Sequence, residues 1–343
     1  MLPARTAKML PRAALSALLA AAAAPAAALA SAAPYNFIAF GDWGTGTALQ
    51  RSNAAAINAH CAVEGACEFI LSLGDQFYDG PLTDEDKRWN TEFTDMYNFS
   101  CPVYATQGNH DYGGNVTVQL TYRNDTRWVT AATNYTISVP EADLSIVVID
   151  SPRGIPSYMS APYGDCNELC MVQLAALGCT NSSELPAAPQ CMLAHVAWLN
   201  RTLAALTTKW KFVALHHPID EGNLHFVVPA LRAHGVQAIF AGHIHNMQHN
   251  IGADGVHYFI SGAGAFASAA LAEDVAAVHA GHSSHAPRPL TCPAGSPCHP
   301  MRGYFFADGP GFLSVSVGGD EVLASFLHQN GTTLTTITVN STF

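Results

Sequence analysis

The chain has 343 residues, of which 49% are hydrophobic and 9% aromatic, enough to bury a large core and too many for a disordered chain. Its net charge of −11 argues against binding to nucleic acid or to an anionic membrane surface, because both need clustered Lys and Arg. An acidic chain that acts on an anion needs a local positive centre, and the 16 His residues fit a bound metal as that centre.

The N-terminal segment has the pattern of a secretory signal peptide. Basic residues without any acid precede an Ala- and Leu-rich run from Ala13 to Ala33, which closes in small residues. A weak membrane anchor and an organelle transit peptide are the alternative interpretations, since Ala is barely apolar and Pro25 interrupts the run. We expect residues 1–31 to be cleaved and residues 32–343 to form one domain.

Glycosylation motifs support the secretory route. The sequence holds eight N-x-[ST] triplets, more than its composition gives by chance, and this excess predicts a glycoprotein. The triplets begin at Asn98, Asn115, Asn124, Asn134, Asn181, Asn200, Asn330 and Asn340.

The nine cysteines give a second indication of an oxidising compartment. They fall in loop-like stretches without a zinc spacing matched by His, so we expect disulfides. Short loops closed by Cys61–Cys67 and by Cys292–Cys298 are the expected bridges. Since nine is odd, one thiol stays free, and the isolated Cys101 is the candidate.

Short apolar runs alternate with helical stretches along the chain, which predicts an α/β fold. The predicted strands are Tyr35–Phe40, Phe69–Leu73, Pro102–Thr106, Leu144–Ile149, Lys211–Leu215 and Ala238–Ala241. The predicted helices are Thr47–His60, Asp84–Tyr97 and Met192–Leu206, and a Cys- and Pro-rich insertion covers Ser151–Pro189. After Val256, short strands broken by glycines predict a second β layer.

Five of these strands end in a turn that carries Gly or Pro together with Asp, Asn or His. Because the carboxyl ends of strands in an open α/β sheet line one edge, we expect these side chains to converge. Carboxylate, amide, phenol and imidazole ligands suit iron, zinc or manganese, and their number fits two ions that share a bridging carboxylate. The candidate residues are Asp42, Asp75, Tyr78, Asn109, His110, His216, His243 and His245.

Each motif alone has an ordinary structural interpretation. A lone Gly-Asp after a strand often makes a turn or caps a helix, and His243 with His245 is compatible with a buried, hydrogen-bonded pair. The specific signal is the occurrence of all five motifs, in order, at successive strand ends.

The ordered motifs GDWG, GDQFYDG, GNHDY, HHP and GHIH resemble those of the calcineurin-like metallophosphoesterases. Within that superfamily they are most similar to the small purple acid phosphatases of the tartrate-resistant type, over about Tyr35 to Gln329. The resemblance implies a four-layer α/β/β/α sandwich with two mixed β-sheets. It also implies an acid phosphatase that hydrolyses phosphomonoesters, with metal-bound hydroxide as the nucleophile.

The same resemblance implies roles for individual residues. It implies a ferric ion, Fe(III), held by Asp42, Asp75, Tyr78 and His245. It implies a second divalent metal (Fe, Zn or Mn) held by Asp75, Asn109, His216 and His243, with Asp75 bridging. His110 is expected to be the general acid, or otherwise to orient a metal ligand. His217 is expected to line the pocket rather than bind metal, and His225 is a second candidate acid.

Some features depart from the family pattern. Tyr112 stands where a His is common, Ile244 stands where an Asp is common, and the stretch from Ser268 to Met301 has no clear counterpart. Two alternative functions remain at this stage: a metallophosphodiesterase of the same superfamily and a non-catalytic phosphate-binding glycoprotein. The expected partners are phosphorylated small molecules or phosphoproteins, with no nucleic acid and no stable membrane insertion after signal cleavage. We expect a monomer that is secreted or in an endomembrane lumen, such as a vacuolar or lysosome-like compartment.

Overall fold

A computed structural model describes residues 33–341 apart from 79, 153–187, 220–223, 225–226, 254 and 267–300. Most of the Cys-rich insertion, the signal segment, His225 and the predicted Cys292–Cys298 bridge lie outside the described residues. The described chain forms two mixed β-sheets with helices, which confirms the predicted fold class.

The first sheet has six strands in the order β13-β12-β11-β1-β2-β3. β1, β2 and β3 run parallel to one another, whereas β11 pairs with β1 in the antiparallel direction and continues into β12 and β13. The strands are β1 (Tyr35–Phe40), β2 (Ile70–Ser72), β3 (Val103–Ala105), β11 (Gly311–Val317), β12 (Glu321–His328) and β13 (Thr333–Asn340).

The second sheet has seven strands in the order β10-β8-β9-β7-β6-β5-β4. Its centre is parallel, from β5 through β6 and β7 to β9, and its two edges are antiparallel. The strands are β4 (Tyr135–Val139), β5 (Leu144–Val148), β6 (Trp210–Ala214), β7 (Ala238–Ala241), β8 (Met247–Gly252), β9 (His257–Ser261) and β10 (Met301–Ala307).

Helices connect the strands. The first begins after Thr47, whose side chain accepts a hydrogen bond from the Gln50 N–H and so satisfies a donor of the first turn. The helices are α1 (Ala48–Cys61), α2 (Asn109–Gly113), α3 (Val116–Thr121), α4 (Ala188–Ala205) and α5 (Val228–Ala233), with a π-helical turn at Trp89–Thr94 and a 3₁₀ turn at Pro140–Ala142. Among the described residues, no helix combines the length and apolar character that a membrane crossing requires.

The core lies on both faces of each sheet, because strand side chains alternate between faces. Along β1, Phe37 points to the core between the sheets, where its ring lies 5.9 Å from that of Phe240, while Ile38 joins the cluster on the outer face. Leu199 and Leu203 of α4 pack on the outer face of the second sheet. The layers therefore follow the predicted order of helix, sheet, sheet and helix.

The structure differs from the sequence predictions in three places. The strands after Val256 do not form a separate layer: β9 and β10 complete the second sheet, and β11 to β13 complete the first. β11 pairs with the free edge of β1, because both backbone edges of this buried strand need hydrogen-bonding partners, and β9 pairs with β7 in the same way. The predicted helix at Asp84–Tyr97 narrows to the π-helical turn, where Trp89 and Phe93 enter the core. Strands β4 and β8 and helices α2, α3 and α5 were not predicted.

The cysteine prediction is confirmed where the structure describes it. Cys61 and Cys67 form a disulfide, and Cys101 is a free, buried thiol. The Sγ of Cys101 lies 3.0 Å from the Sγ of Cys67, so this thiol is close to the bridge in space although it is distant in sequence.

Candidate metal centre

The polar turns that follow the strands of both sheets meet in one place. From the first sheet come Asp42 after β1, Asp75 and Tyr78 after β2, and Asn109 with His110 after β3. From the second come His216 after β6, and His243 with His245 after β7. Direct contacts connect all eight residues that the sequence predicted as candidates.

Backbone strain marks this meeting point. Asp42, Asp75 and His243 have positive φ angles of 59°, 50° and 67°, in the left-handed region that side-chain-bearing residues avoid. Each such residue costs about 1–2 kcal/mol. The turns are held by hydrogen bonds between them, including the Asp42 N–H to the Gly74 carbonyl at 2.9 Å. This strain is tolerated where the direction of the side chain matters, which is typical of functional sites.

Two glycines allow the turns to approach one another. A Cβ on Gly108 would lie 2.1 Å from Oδ1 of Asp75, and a Cβ on Gly74 would lie 2.3 Å from Nδ1 of His216. Gly74 also has a φ of 90°, which favours glycine for a second reason. The glycines of these motifs are therefore required by the close packing of the candidate ligands.

Asp42, Tyr78 and His245 form the first half of the site. Nε2 of His245 lies 3.3 Å from the Tyr78 hydroxyl and 3.4 Å from Oδ1 of Asp42. The other oxygen of Asp42, Oδ2, accepts a hydrogen bond of 2.8 Å from the His243 N–H. Oδ1 of Asp42 is buried without a hydrogen-bond partner among the described residues, and burial raises the pKa of this carboxyl group.

Asp75, Asn109, His216 and His243 form the second half. Nδ1 of His216 lies 2.8 Å from the Leu73 carbonyl, which can only accept, so Nδ1 carries the proton. The opposite nitrogen, Nε2, then faces Oδ1 of Asn109 at 3.0 Å and Oδ2 of Asp75 at 3.3 Å. The His243 ring lies 5.1 Å from the His216 ring, centroid to centroid.

The electrostatics of this half follow from buried charges. Burial disfavours the charged form of His216, but the carboxylates of Asp75 and Asp42 outweigh it and raise its pKa to about 9. Burial and the neighbouring His216 lower the pKa of His243 to about 3, so this imidazole is neutral and has a lone pair to offer. Burial raises the pKa of Tyr78, and the carboxylates of Asp42 and Asp75 raise it further.

These residues fit bound metal ions. Among the described residues, the buried Oδ1 of Asp42 accepts no hydrogen bond, and oxygens of Asn109 and Asp75 both face Nε2 of His216. These oxygens converge on a buried region that favours positive charge, which a metal ion can supply in place of the His216 proton. Ligand atoms of Asp42, Asp75 and His216 lie within 4.8 Å of one another, and so do those of His216, His217 and His243. Oxygen and imidazole donors without a thiolate suit iron, zinc or manganese.

His110 lies at the rim of the site and is partly exposed, whereas Asp75 and Asn109 are buried. Its backbone N–H donates to Oδ1 of Asp75 at 2.9 Å, and its ring centroid lies 4.3 Å from that of Tyr78. The backbone of His110 is thus bonded to the carboxylate of one candidate ligand, and its ring packs on another.

The sequence assigned no role to two residues that organise the site. The buried carboxylate of Asp111 accepts hydrogen bonds from the N–H groups of Asp75, Gln76, Phe77 and Gly108 and from Nε2 of Gln119, at 2.8–3.3 Å. The Phe266 ring stacks on His245 with centroids 3.8 Å apart and planes 11° apart. Asp111 belongs to the GNHDY motif, so its position was visible, but its partners depend on a turn 34 to 36 residues away.

Comparisons with known proteins agree with this geometry. The sequence model of the calcineurin-like phosphoesterases matches residues 35–247. The chain is 32% identical over 259 residues to tartrate-resistant acid phosphatase type 5 of Homo sapiens, an alignment that covers 67% of this chain and 73% of that protein. It is 25% identical over 325 residues to purple acid phosphatase 4 of Arabidopsis thaliana, covering 87% of this chain and 81% of that protein.

The fold is also similar to that of GAP50, described as the anchor in the inner membrane complex of Plasmodium, with a TM-score of 0.65 and 19% sequence identity. That alignment covers 90% of this chain and 89% of the GAP50 chain, and at this identity it shows a shared fold alone. From the family match and the human relative, the chain belongs to the calcineurin-like phosphoesterase family, together with the tartrate-resistant and purple acid phosphatases.

Proposed function

We propose that this metal-dependent acid phosphatase hydrolyses phosphomonoesters with a dinuclear centre of Fe(III) and a second divalent metal. The observation that carries the proposal is the buried carboxylate of Asp75, whose ligand atom lies within 4.8 Å of those of Asp42 in the first half and His216 in the second. Two ions that share one carboxylate are the usual arrangement for phosphoryl chemistry with two metals.

The two halves differ in donor chemistry, and this supports a different ion in each. The ferric ion would be held by Asp42, Asp75, Tyr78 and His245, since carboxylate and phenolate oxygens suit a hard trivalent ion. The second ion, Fe, Zn or Mn, would be held by Asp75, Asn109, His216 and His243, with two imidazoles and an amide that a softer ion accepts. When bound, the ions supply neutralisation of the phosphate charge and a water molecule of lowered pKa.

The chain's own residues would orient the substrate and move the proton. His110 lies at the rim, where a phosphate held at the centre would present its ester oxygen to solvent. We propose that a ring nitrogen of His110 binds the phosphate and then donates its proton to the leaving alkoxide. The N–H bond to Asp75 holds the backbone of His110, and the tilted contact with the Tyr78 ring limits the movement of its imidazole.

We further propose a secreted or luminal glycoprotein that acts, as a monomer, on phosphorylated small molecules or phosphoproteins. The chain carries the sequence pattern of a signal peptide. Five of the eight glycosylation motifs have an exposed Asn within the described residues, namely Asn98, Asn124, Asn200, Asn330 and Asn340. Exposure of the Asn side chain is what the attached glycan requires in the folded protein.

A visible absorption spectrum with elemental analysis of iron, zinc and manganese tests the proposal. Tyrosinate bound to ferric iron is expected to give a broad band, with iron and a second metal near one equivalent each. Hydrolysis of p-nitrophenyl phosphate and bis-p-nitrophenyl phosphate across acid and neutral pH then measures the activity. Two equivalents of zinc or manganese without iron would refute the ferric assignment, and preference for the diester would refute phosphomonoester specificity.

A further inference from the structure

Two buried residues outside the proposed ligand set meet behind the divalent half of the site. β5 and β6 are parallel neighbours in which Val148 pairs with Ala214. Ser151 and His217 each follow the end of their strand by three residues, so the register of the strands brings them side by side. Their side chains are almost fully buried, with residue exposures of 1% for Ser151 and 2% for His217.

Ser151 fixes His217 from two directions. Its Oγ accepts a hydrogen bond of 3.0 Å from the His217 backbone N–H, and the same oxygen lies 2.9 Å from Nδ1 of the imidazole. A hydroxyl that bonds both the backbone and the ring of one residue holds the χ angles of that residue in a single arrangement.

The fixed ring packs on both imidazoles proposed to hold the divalent ion. The centroid of the His217 ring lies 4.3 Å from that of His243 at a 47° interplanar angle, and 4.8 Å from that of His216 at 86°. One ring nitrogen from each of the three residues lies within 4.8 Å of the other two. The neighbouring rings are thus limited in how far they can rotate, because buried aromatic groups are closely packed.

We propose that His217, held by Ser151, is a positioning residue that sets the orientation of His216 and His243 and thereby the affinity for the divalent metal. The inference rests on the proposed function for the assignment of those two ligands. It extends the sequence prediction, which expected His217 to line the pocket and assigned it no further role. Partners that orient metal-binding histidines typically change metal affinity by about 10- to 100-fold when they are removed.

The test compares Ser151→Ala, His217→Phe and the double variant, each as purified full-length protein. His217→Phe keeps an aromatic ring but removes both nitrogens, and Ser151→Ala removes the hydroxyl that orients the ring. Retention of the divalent metal is measured by titration with a competing chelator, while the visible band and the iron content report on the other half. Ser314→Ala is the matched control. It removes a Ser–His hydrogen bond of 3.2 Å between Ser314 on β11 and His60 on α1, outside the site.

We expect both single variants to lose the divalent metal at about 10- to 100-fold lower chelator concentration, with iron and the band unchanged. The double variant should be no worse than His217→Phe, because the two residues act through one contact. Divalent retention equal to wild type in both single variants overturns the inference. Loss in His217→Phe with none in Ser151→Ala also overturns it, since His217 would then act as a ligand without Ser151.

The inference and the proposed function fail in different ways. A wild-type protein without iron or a visible band contradicts the ferric assignment, but its divalent metal can still be titrated in the same variants. If His217→Phe does not fold, Ser151→Ala still decides the question, because it removes a single oxygen and leaves the ring in place.

Discussion

Replacing Asp111 with Asn is expected to weaken both the fold and the metal centre. Asp111 is fully buried, and its carboxylate accepts hydrogen bonds from four backbone N–H groups and one side-chain amide. Two of those N–H groups belong to Asp75, the proposed bridging ligand, and to Gly108, which precedes the proposed ligand Asn109. The carboxylate therefore ties together the turns after β2 and β3.

The size of the effect follows from how the donors divide between the two oxygens. Oδ2 accepts from Asp75 and Gly108, whereas Oδ1 accepts from Gln76, Phe77 and Gln119. An Asn side chain has one oxygen, and its NH₂ group must face N–H donors in either orientation. In the better orientation two hydrogen bonds are lost. Burial and the Asp75 carboxylate raise the pKa of Asp111 to about 7, so the acceptor is charged above that pH. Hydrogen bonds to a charged group are worth about 1.5–3 kcal/mol each, so at pH above 7 we expect a loss of about 3–6 kcal/mol.

That loss is a large part of the 5–15 kcal/mol by which a typical domain is stable. Urea unfolding of the metal-free protein measures it, and elemental analysis of the purified variant measures metal retention. Asp125→Asn is the matched control, because Asp125 is largely buried and bonds to Arg127 and Thr94, residues outside the site. We expect the control to lower stability while it leaves metal content unchanged.

A milder variant covers the case in which Asp111→Asn does not fold. Gln119→Leu removes the single amide donor to Oδ1, at 3.0 Å, and leaves the four backbone N–H groups bonded. Its expected cost is about 1.5–3 kcal/mol. Wild-type stability together with full metal content in Asp111→Asn would refute the reasoning, since the five hydrogen bonds would then hold neither turn in place.

Three further predictions use single residues. Tyr78→Phe should abolish the visible band while circular dichroism stays that of wild type, because only the hydroxyl near His245 is lost; a persistent band refutes the iron–tyrosinate assignment. His110→Ala should keep metals and band but lose about 10²- to 10⁴-fold in kcat on an alkyl phosphate, with a smaller loss on p-nitrophenyl phosphate; unchanged kcat removes it as the acid. Burial raises the pKa of Glu92 to about 7, so the folded state holds this proton more tightly than the unfolded state does. The contribution of Glu92 to stability therefore falls as the pH rises from about 4.5 to 7. Over this range the melting temperature should fall less in Glu92→Gln than in the wild type, and an equal fall contradicts the prediction.

The sequence predicted the parts of the fold that leave a local pattern. β1 is an apolar run between turn residues, and its predicted bounds, Tyr35–Phe40, coincide with the observed strand. Helix α1 follows a capping Thr47 and was predicted within one residue at each end. The set of polar residues at strand ends was visible for the same reason, because each motif follows an apolar run within a few residues.

Pairing between distant strands left no such pattern. β11 joins β1 more than 270 residues away in the chain, and its sequence alone does not say which sheet it enters. β4 is a different case: its five residues alternate apolar and polar, the pattern of a half-buried edge strand, and the prediction overlooked this local signal. The partners of Asp111 depend on the pairing of β2 with β3, and the contact between Ser151 and His217 depends on the pairing of β5 with β6. The sequence does not show these pairings, which is why it did not assign roles to these residues.

The position of the site between two sheets makes its integrity depend on how the sheets pack. In the proposed assignment each ion takes ligands from both sheets. Hydrogen bonds also join the turns of the two sheets directly: the His243 N–H donates to Asp42, and the His216 ring donates to the Leu73 carbonyl. The aromatic core between the sheets, including Phe37 and Phe240, sets the distance across which these contacts form. A ligand that binds only the folded state stabilises it, so metal binding and the packing of the two sheets should reinforce each other.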